Sequence, residues 1–238
     1  MVDKAPTVLR ADKLVTGYGK RQIVNQVNIE VMAGEVVAVI GHNGSGKSTL
    51  LKALFRLLPI WSGGVSYPVA GQARTPRALL HRGVVFLPQG NQVFSRLTVL
   101  ENARIAMSAR VPSPGRRSLA YIDEWFPRLR EKASQRAGAL SGGEKQSLAF
   151  ACAMALEPHL LLLDEPSLGL SPALAKDALN QISNICRQKN VAALIVEQKV
   201  RQVLRIADRA YVLRSGSVTY SGPAVDLEDE QTLRQAFL

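Results

Sequence analysis

At 238 residues, 47% hydrophobic and 21% charged, the sequence can bury a substantial core as one domain, or as one domain with a lobe. It offers no membrane span: its most apolar stretch, residues 148–163, is broken by Glu157, Pro158 and His159, far short of the ~18 residues a bilayer needs. The first residues lack the apolar run of a secretory signal, Cys152 and Cys186 have no partner motif for metal or redox work, and a net charge of +11 leaves nucleic acid, an anionic membrane face or an acidic partner open.

Residues 7–15 and 27–32 read as strands of a small antiparallel sheet that precedes the main one. Residues 35–40, Glu35 followed by five apolar residues, have the short β-branched pattern of a strand buried on both faces. A glycine-rich loop follows, then helical spacing over 48–58. Residues 83–87, 160–163 and 191–196 are three more buried strands, and 171–188 and 199–206 read as helices. Alternation of this kind predicts a parallel sheet with covered faces and a ligand at the carboxyl ends of its strands. Residues 92–153 interrupt it with helix-like stretches at 98–109 and 118–132, separated by Val111-Pro-Ser-Pro-Gly115. The expectation is a helical lobe inserted into an α/β core formed by residues 1–91 and 154–238. Between Arg96 and Arg136 nine Lys/Arg stand against four Asp/Glu with scattered aromatics, which favours a membrane or partner face over nucleic-acid reading. Strands at 209–213 and 217–220, with Ser215 and Gly216 as their turn, lead to a terminal helix that is acidic first and basic later.

Three motifs carry chemistry. Gly41, His42, Asn43, Gly44, Ser45, Gly46, Lys47, Ser48 and Thr49 fit a P-loop between a buried strand and a helix. Its glycines let backbone N–H groups and a helix N-terminus face phosphate, Lys47 brings a point charge, and the Ser48 hydroxyl can ligate Mg²⁺. His42 occupies a variable position and is expected to face solvent. Leu160 to Leu163 end in Asp164 and Glu165: the first can hold Mg²⁺ through water, and the second can polarise an attacking water as general base. Ser141, Gly142 and Gly143, before a helix expected to begin near Glu144, form a second anion site. One chain needs only one γ-phosphate site, so the pair implies two chains packed head to tail, each signature closing over the other's P-loop.

These residues together resemble the ABC ATPase family, over essentially the whole chain. The resemblance implies a RecA-like P-loop core with an N-terminal antiparallel β subdomain and an inserted helical subdomain. Tyr18 resembles the aromatic that stacks on adenine, Gln89 the glutamine that touches Mg²⁺ or water, and residues 167–172 the loop that crosses to the partner. Fragments such as 93–102, 126–129, 135–138, 165–172 and 207–213 are similar to the ATPases of branched-chain amino acid uptake systems, the LivF type. The usual switch histidine is Gln198 here, which keeps a neutral donor for the γ-phosphate but cannot become cationic. The implied assembly has ATP and Mg²⁺ as cofactors, a second ABC ATPase subunit, two transmembrane permeases and an extracytoplasmic solute-binding protein. The implied location is the cytoplasmic face of the membrane, with no nucleic acid. An exporter motor and a nucleic-acid ABC ATPase are the alternatives; the second is disfavoured by the lack of heptads or a cysteine cluster.

Overall fold

The computed structural model describes residues 5–90, 92–109 and 120–238. Strands β1 (Thr7–Tyr18) and β2 (Arg21–Met32) form an antiparallel hairpin. They run longer than the alternation predicts, because bulges in β1 between Ala11 and Leu14 and between Leu14 and Thr16 break its period of two. Strand β3 (Val36–Ile40) is buried throughout and delivers the chain to the glycine loop and α1 (Lys47–Leu54). That helix stops short of the predicted residue 58: Phe55 caps it, and Arg56 turns to φ 62°.

The glycine-bearing β4 (Ser62–Ser66) joins the hairpin, giving a three-stranded sheet of order β2-β1-β4. Neither it nor the short helix α2 (Pro76–His81) has a legible pattern in the sequence, since β4 is mostly exposed and α2 is barely two turns. Strand β5 (Val84–Leu87) is followed, among the described residues, by helices α3 (Val99–Ser108), α4 (Ala120–Trp125), α5 (Pro127–Glu131) and α6 (Gly142–Met154). The single helix predicted over 118–132 is two, because Pro127 at the first position of α5 cannot continue the preceding helix. The predicted break at 111–115, and residues 118 and 119, lie outside the described residues. Strand β6 (Leu160–Asp164), helix α7 (Pro172–Gln188), strand β7 (Ala192–Glu197), helix α8 (Val200–Leu204), strands β8 (Arg209–Arg214) and β9 (Ser217–Pro223), and helix α9 (Glu230–Phe237) complete the chain.

The main sheet has the order β5-β6-β7-β3-β8-β9, parallel except for the β8–β9 hairpin at one edge. Both its faces are covered. Leu161 and Leu163 of β6 join the apolar cluster shared with α6 and α7, whereas Leu160 and Leu162 join the cluster shared with α1 and the small sheet. The register is continuous across four strands: Leu163 pairs with Leu87, Asp164 with Val196, and Ile40 with Glu197. It therefore aligns the carboxyl ends of β5, β6, β7 and β3, where the predicted polar residues begin. Among the described residues no helix is long and apolar enough to cross a membrane.

Because β6 is buried on both faces, Leu161→Ala and Leu162→Ala should each cost about 2–5 kcal/mol of stability. Urea unfolding of the two variants checks this; a strand wet on one side would give one large loss and one small.

Candidate active site

The loop after β3 is held from beneath and from within. A Cβ on Gly41 would lie 2.2 Å from the Leu213 carbonyl oxygen and 2.7 Å from Ser45 Oγ, so only glycine lets the loop lie against β8. Gly46, at φ 104°, makes the left-handed turn that starts α1. The Ser45 carbonyl accepts the Gly216 N–H of the β8–β9 turn at 2.9 Å. Lys47, nearly buried, donates to the Gly41 and His42 carbonyls at 2.9 and 3.1 Å, which draws the loop round its ammonium. Burial lowers the pKa of Lys47, while Glu165, Asp164 and Glu197 pull it back. Asn43 and Gly44 are exposed at the loop's tip and Thr49 is buried in α1. His42 is exposed as expected, and its ring also meets Phe237 of α9 edge-on at 5.1 Å. Tyr18 stands half-exposed at the tip of the β1–β2 hairpin, whose Ile23 lies against Gly46.

Across the strand ends, the Ser48 hydroxyl donates to Asp164 Oδ1 at 2.8 Å. Asp164 is buried, which raises its pKa against the Ser48 hydrogen bond. A hydroxyl and a disfavoured carboxylate converging in this way suit a hard divalent cation such as Mg²⁺. Among the described residues no three His, Cys, Asp or Glu side chains form a metal site, so a cation here needs phosphate or water as further ligands. Gln89 is joined to a different group: its amide donates to Glu165 Oε2 at 3.0 Å, while the Gln198 amide donates to Glu165 Oε1 at 2.6 Å. Glu165 itself has φ 49° and donates its N–H to the Val196 carbonyl at 2.9 Å. Its carboxylate is thus held between the glutamines that follow β5 and β7.

Glu197 carries a role that the motif reading passed over. Buried at the end of β7, its carboxylate accepts the Ser167 N–H at 2.8 Å and the Gln198 N–H at 3.1 Å. Lys199 donates to the Ser167 and Leu170 carbonyls at 3.0 and 2.9 Å, fixing the rest of that loop. The available signal was a carboxylate closing an otherwise apolar strand.

The helix of the second anion motif starts at Gly142, not near Glu144, because Ser141 is its N-cap. Ser141 Oγ accepts the Glu144 N–H at 3.3 Å, and the Glu144 carboxylate accepts the Ser141 N–H at 2.9 Å, a reciprocal capping box. Gly142 and Gly143 are thus in the first turn of α6. The groove beside them is lined from α5, α6 and α7, including Leu129, Gly143, Leu170 and Leu174.

The arrangement matches known proteins throughout. The family model described as ABC transporter matches residues 24–168. The high-affinity branched-chain amino acid transport ATP-binding protein BraG of Pseudomonas aeruginosa is 39% identical, over 97% of this chain and 99% of its own length. This chain belongs to the ABC transporter family. The probable branched-chain amino acid transport ATP-binding protein LivF of Archaeoglobus fulgidus is 37% identical over 94% of this chain and 95% of its own. The lipopolysaccharide export system ATP-binding protein LptB of Haemophilus influenzae is 31% identical over 96% of each. A crystal structure of a nucleotide-free ATP-binding cassette from an ABC transporter superposes with a TM-score of 0.81 at 27% identity, covering 96% of this chain and 98% of that one. The chain is therefore the ATP-binding, ATP-hydrolysing subunit of an ABC transporter, with the mixed α/β architecture of such cassettes.

On the expectation that residues 41–49 hold phosphate, Lys47→Ala should weaken ATP binding by about tenfold or more, measured calorimetrically. Gly41→Ala should weaken binding and lower the melting temperature together, because its Cβ meets backbone. A Gly41→Ala protein with unchanged melting would contradict the packing account of the loop.

Proposed function

We propose that this chain powers uptake of branched-chain or related amino acids, as one of two ABC ATPase subunits seated on the cytoplasmic side of two permease subunits. An extracytoplasmic binding protein would supply the solute, and nucleic acid has no part. The observation that carries the solute class is the 39% identity, over nearly the full length of both chains, to an ATP-binding protein of branched-chain amino acid transport. The hydrolytic reading rests on the carboxylate of Glu165, held by two amides beside the Ser48–Asp164 pair.

In this reading Tyr18 stacks on adenine, and residues 41–49 wrap the phosphates with Lys47 among them. Ser48 and Asp164, with Gln89 at the edge, are the groups that would hold Mg²⁺, which when bound would offset phosphate charge. Each carboxylate oxygen of Glu165 accepts one amide hydrogen bond and keeps acceptor capacity for a water. Glu165 takes that water's proton as its oxygen bonds the γ-phosphorus and the bond to the β–γ bridging oxygen breaks, releasing ADP. Gln198 orients the water or γ-phosphate by hydrogen bonding. Ser141, Gly142, Gly143 and Glu144 of each subunit close over the nucleotide of the other. The helical segment 92–153 acts as a subdomain that passes closure to the permease through Gln89. A second reading, a motor for lipid export, is favoured by the 31% identity to an export ATPase over 96% of each chain.

Glu165→Gln should keep ATP binding and lower turnover by roughly 10²–10⁴-fold in the assembled transporter. Trapped ATP should then pair the ATPase subunits, and Gly142→Asp should abolish pairing by adding charge where backbone meets phosphate. Uptake of labelled leucine by vesicles containing the complex tests the solute. Extraction of lipid without amino-acid uptake would establish the second reading instead.

A further inference from the structure

The capping box at the start of α6 is also a competitor for the donor it presents. Ser141 Oγ donates to Glu144 Oε2 at 3.0 Å, and the same carboxylate oxygen accepts the Ser141 N–H at 2.9 Å. A serine that is to donate to a partner's γ-phosphate must give up the first of these bonds. The carboxylate also brings a full negative charge to the end of α6 that would otherwise attract phosphate. Both problems depend on how basic the Glu144 carboxylate is and on whether a cation offsets its charge. Its other oxygen, Oε1, is taken by Lys132 Nζ. The lysine's hydrogen bond, followed by the Ser141 N–H, pushes the Glu144 pKa down to about 2.

Lys132 is itself held in place by its surroundings. It caps α5, whose Leu129 is buried in the core, and its carbonyl accepts the Gln135 N–H at 2.9 Å. Gln135 and Ala133 in turn accept the N–H groups of Val99 and Leu100 at the start of α3. The ion pair is partly exposed, with side-chain exposures of 36% for Lys132 and 25% for Glu144, so it adds little to stability. Its consequence lies in the charge and acceptor strength at the helix start.

We propose that Lys132 is a positioning residue for the signature serine: by pairing with Glu144 it cancels the carboxylate's charge and loosens its hold on the Ser141 hydroxyl, so the hydroxyl can pass to phosphate bound by the partner subunit. The inference rests on the reading of Ser141 as a donor in trans. Without the lysine, an unpaired carboxylate both repels the incoming phosphate and keeps the hydroxyl proton for itself.

The test uses the full chain in its assembled transporter, comparing Lys132→Ala, Lys132→Arg, Glu144→Gln and the Lys132→Ala/Glu144→Gln double variant. Lys132→Ala should raise the KM for ATP by about tenfold, with kcat within about twofold, and the increase should shrink in high salt. Lys132→Arg should restore the wild-type KM. The double variant should return to within about threefold of Glu144→Gln alone, because without the carboxylate there is nothing for the lysine to neutralise. Melting temperatures separate lost folding from lost positioning. An unchanged KM in a folded Lys132→Ala protein, or a double variant whose KM exceeds that of Glu144→Gln by as much as Lys132→Ala exceeds wild type, overturns the proposal. ATP-driven pairing is followed in parallel on the Glu165→Gln background. If that parent fails to pair with ATP, the trans reading itself falls; if it pairs and Lys132→Ala pairs at the same ATP concentration, only the role of Lys132 falls.

Discussion

The site depends on one carboxylate held from two sides. Glu165 sits at the end of β6 in a left-handed backbone conformation, and its two oxygens accept the amides of Gln89 and Gln198. Those glutamines follow β5 and β7, the two sheet neighbours of β6. A one-residue slip in either pairing would send one amide to the wrong face and leave a nearly buried carboxylate oxygen without its donor. Four consecutive leucines would fill either face of β6 equally well, so what resists such a slip is the polar strand end, where Asp164 and Glu165 would lose Ser48 and the two amides. Hydrophobic burial thus fixes the strand in the sheet, and its polar end fixes where the chemistry falls.

The same strand ends gather charge. Lys47 lies buried beneath the loop with the carboxylates of Asp164, Glu165 and Glu197 acting on it. Asp164 leans on Ser48, whereas Glu197 turns back to hold the Ser167 and Gln198 backbone. Each acid is therefore assigned by its hydrogen bonds to a different task, although two of the three are adjacent in sequence. Glu197 and Lys199 together fix the 167–170 loop, which lines the groove beside the start of α6 through Leu170. Those bonds tie the end of β7 to a loop whose Leu170 borders the groove that Ser141 also lines.

Much of this was legible in the sequence because the buried strands are written as nearly unbroken apolar runs ending in polar residues. Residues 36–40 and 160–164 announce both their burial and the point where the site begins. Elements with little core to bury, such as β4 and α2, left no periodic trace. The start of α6 lies two residues before the point its pattern suggests: two glycines look like loop, but the capping box between Ser141 and Glu144 draws them into the first turn. The clamp on Glu165 was not legible. Gln89 and Gln198 lie 76 and 33 residues from it, and only the sheet order joins them. Lys132 was equally silent, one cation in a basic stretch until the fold set it against Glu144.

The most direct test of the clamp is single-turnover hydrolysis by the assembled transporter carrying Gln198→Ala, a step that permease motions cannot mask. Losing one donor to Glu165 should slow hydrolysis of bound ATP by about fivefold or more, with ATP affinity within about threefold of wild type. Gln198→His should remain active and bring a titration in the rate between about pH 5 and 8 that the neutral amide lacks. Hydrolysis of bound ATP by Gln198→Ala at the wild-type rate would contradict the account.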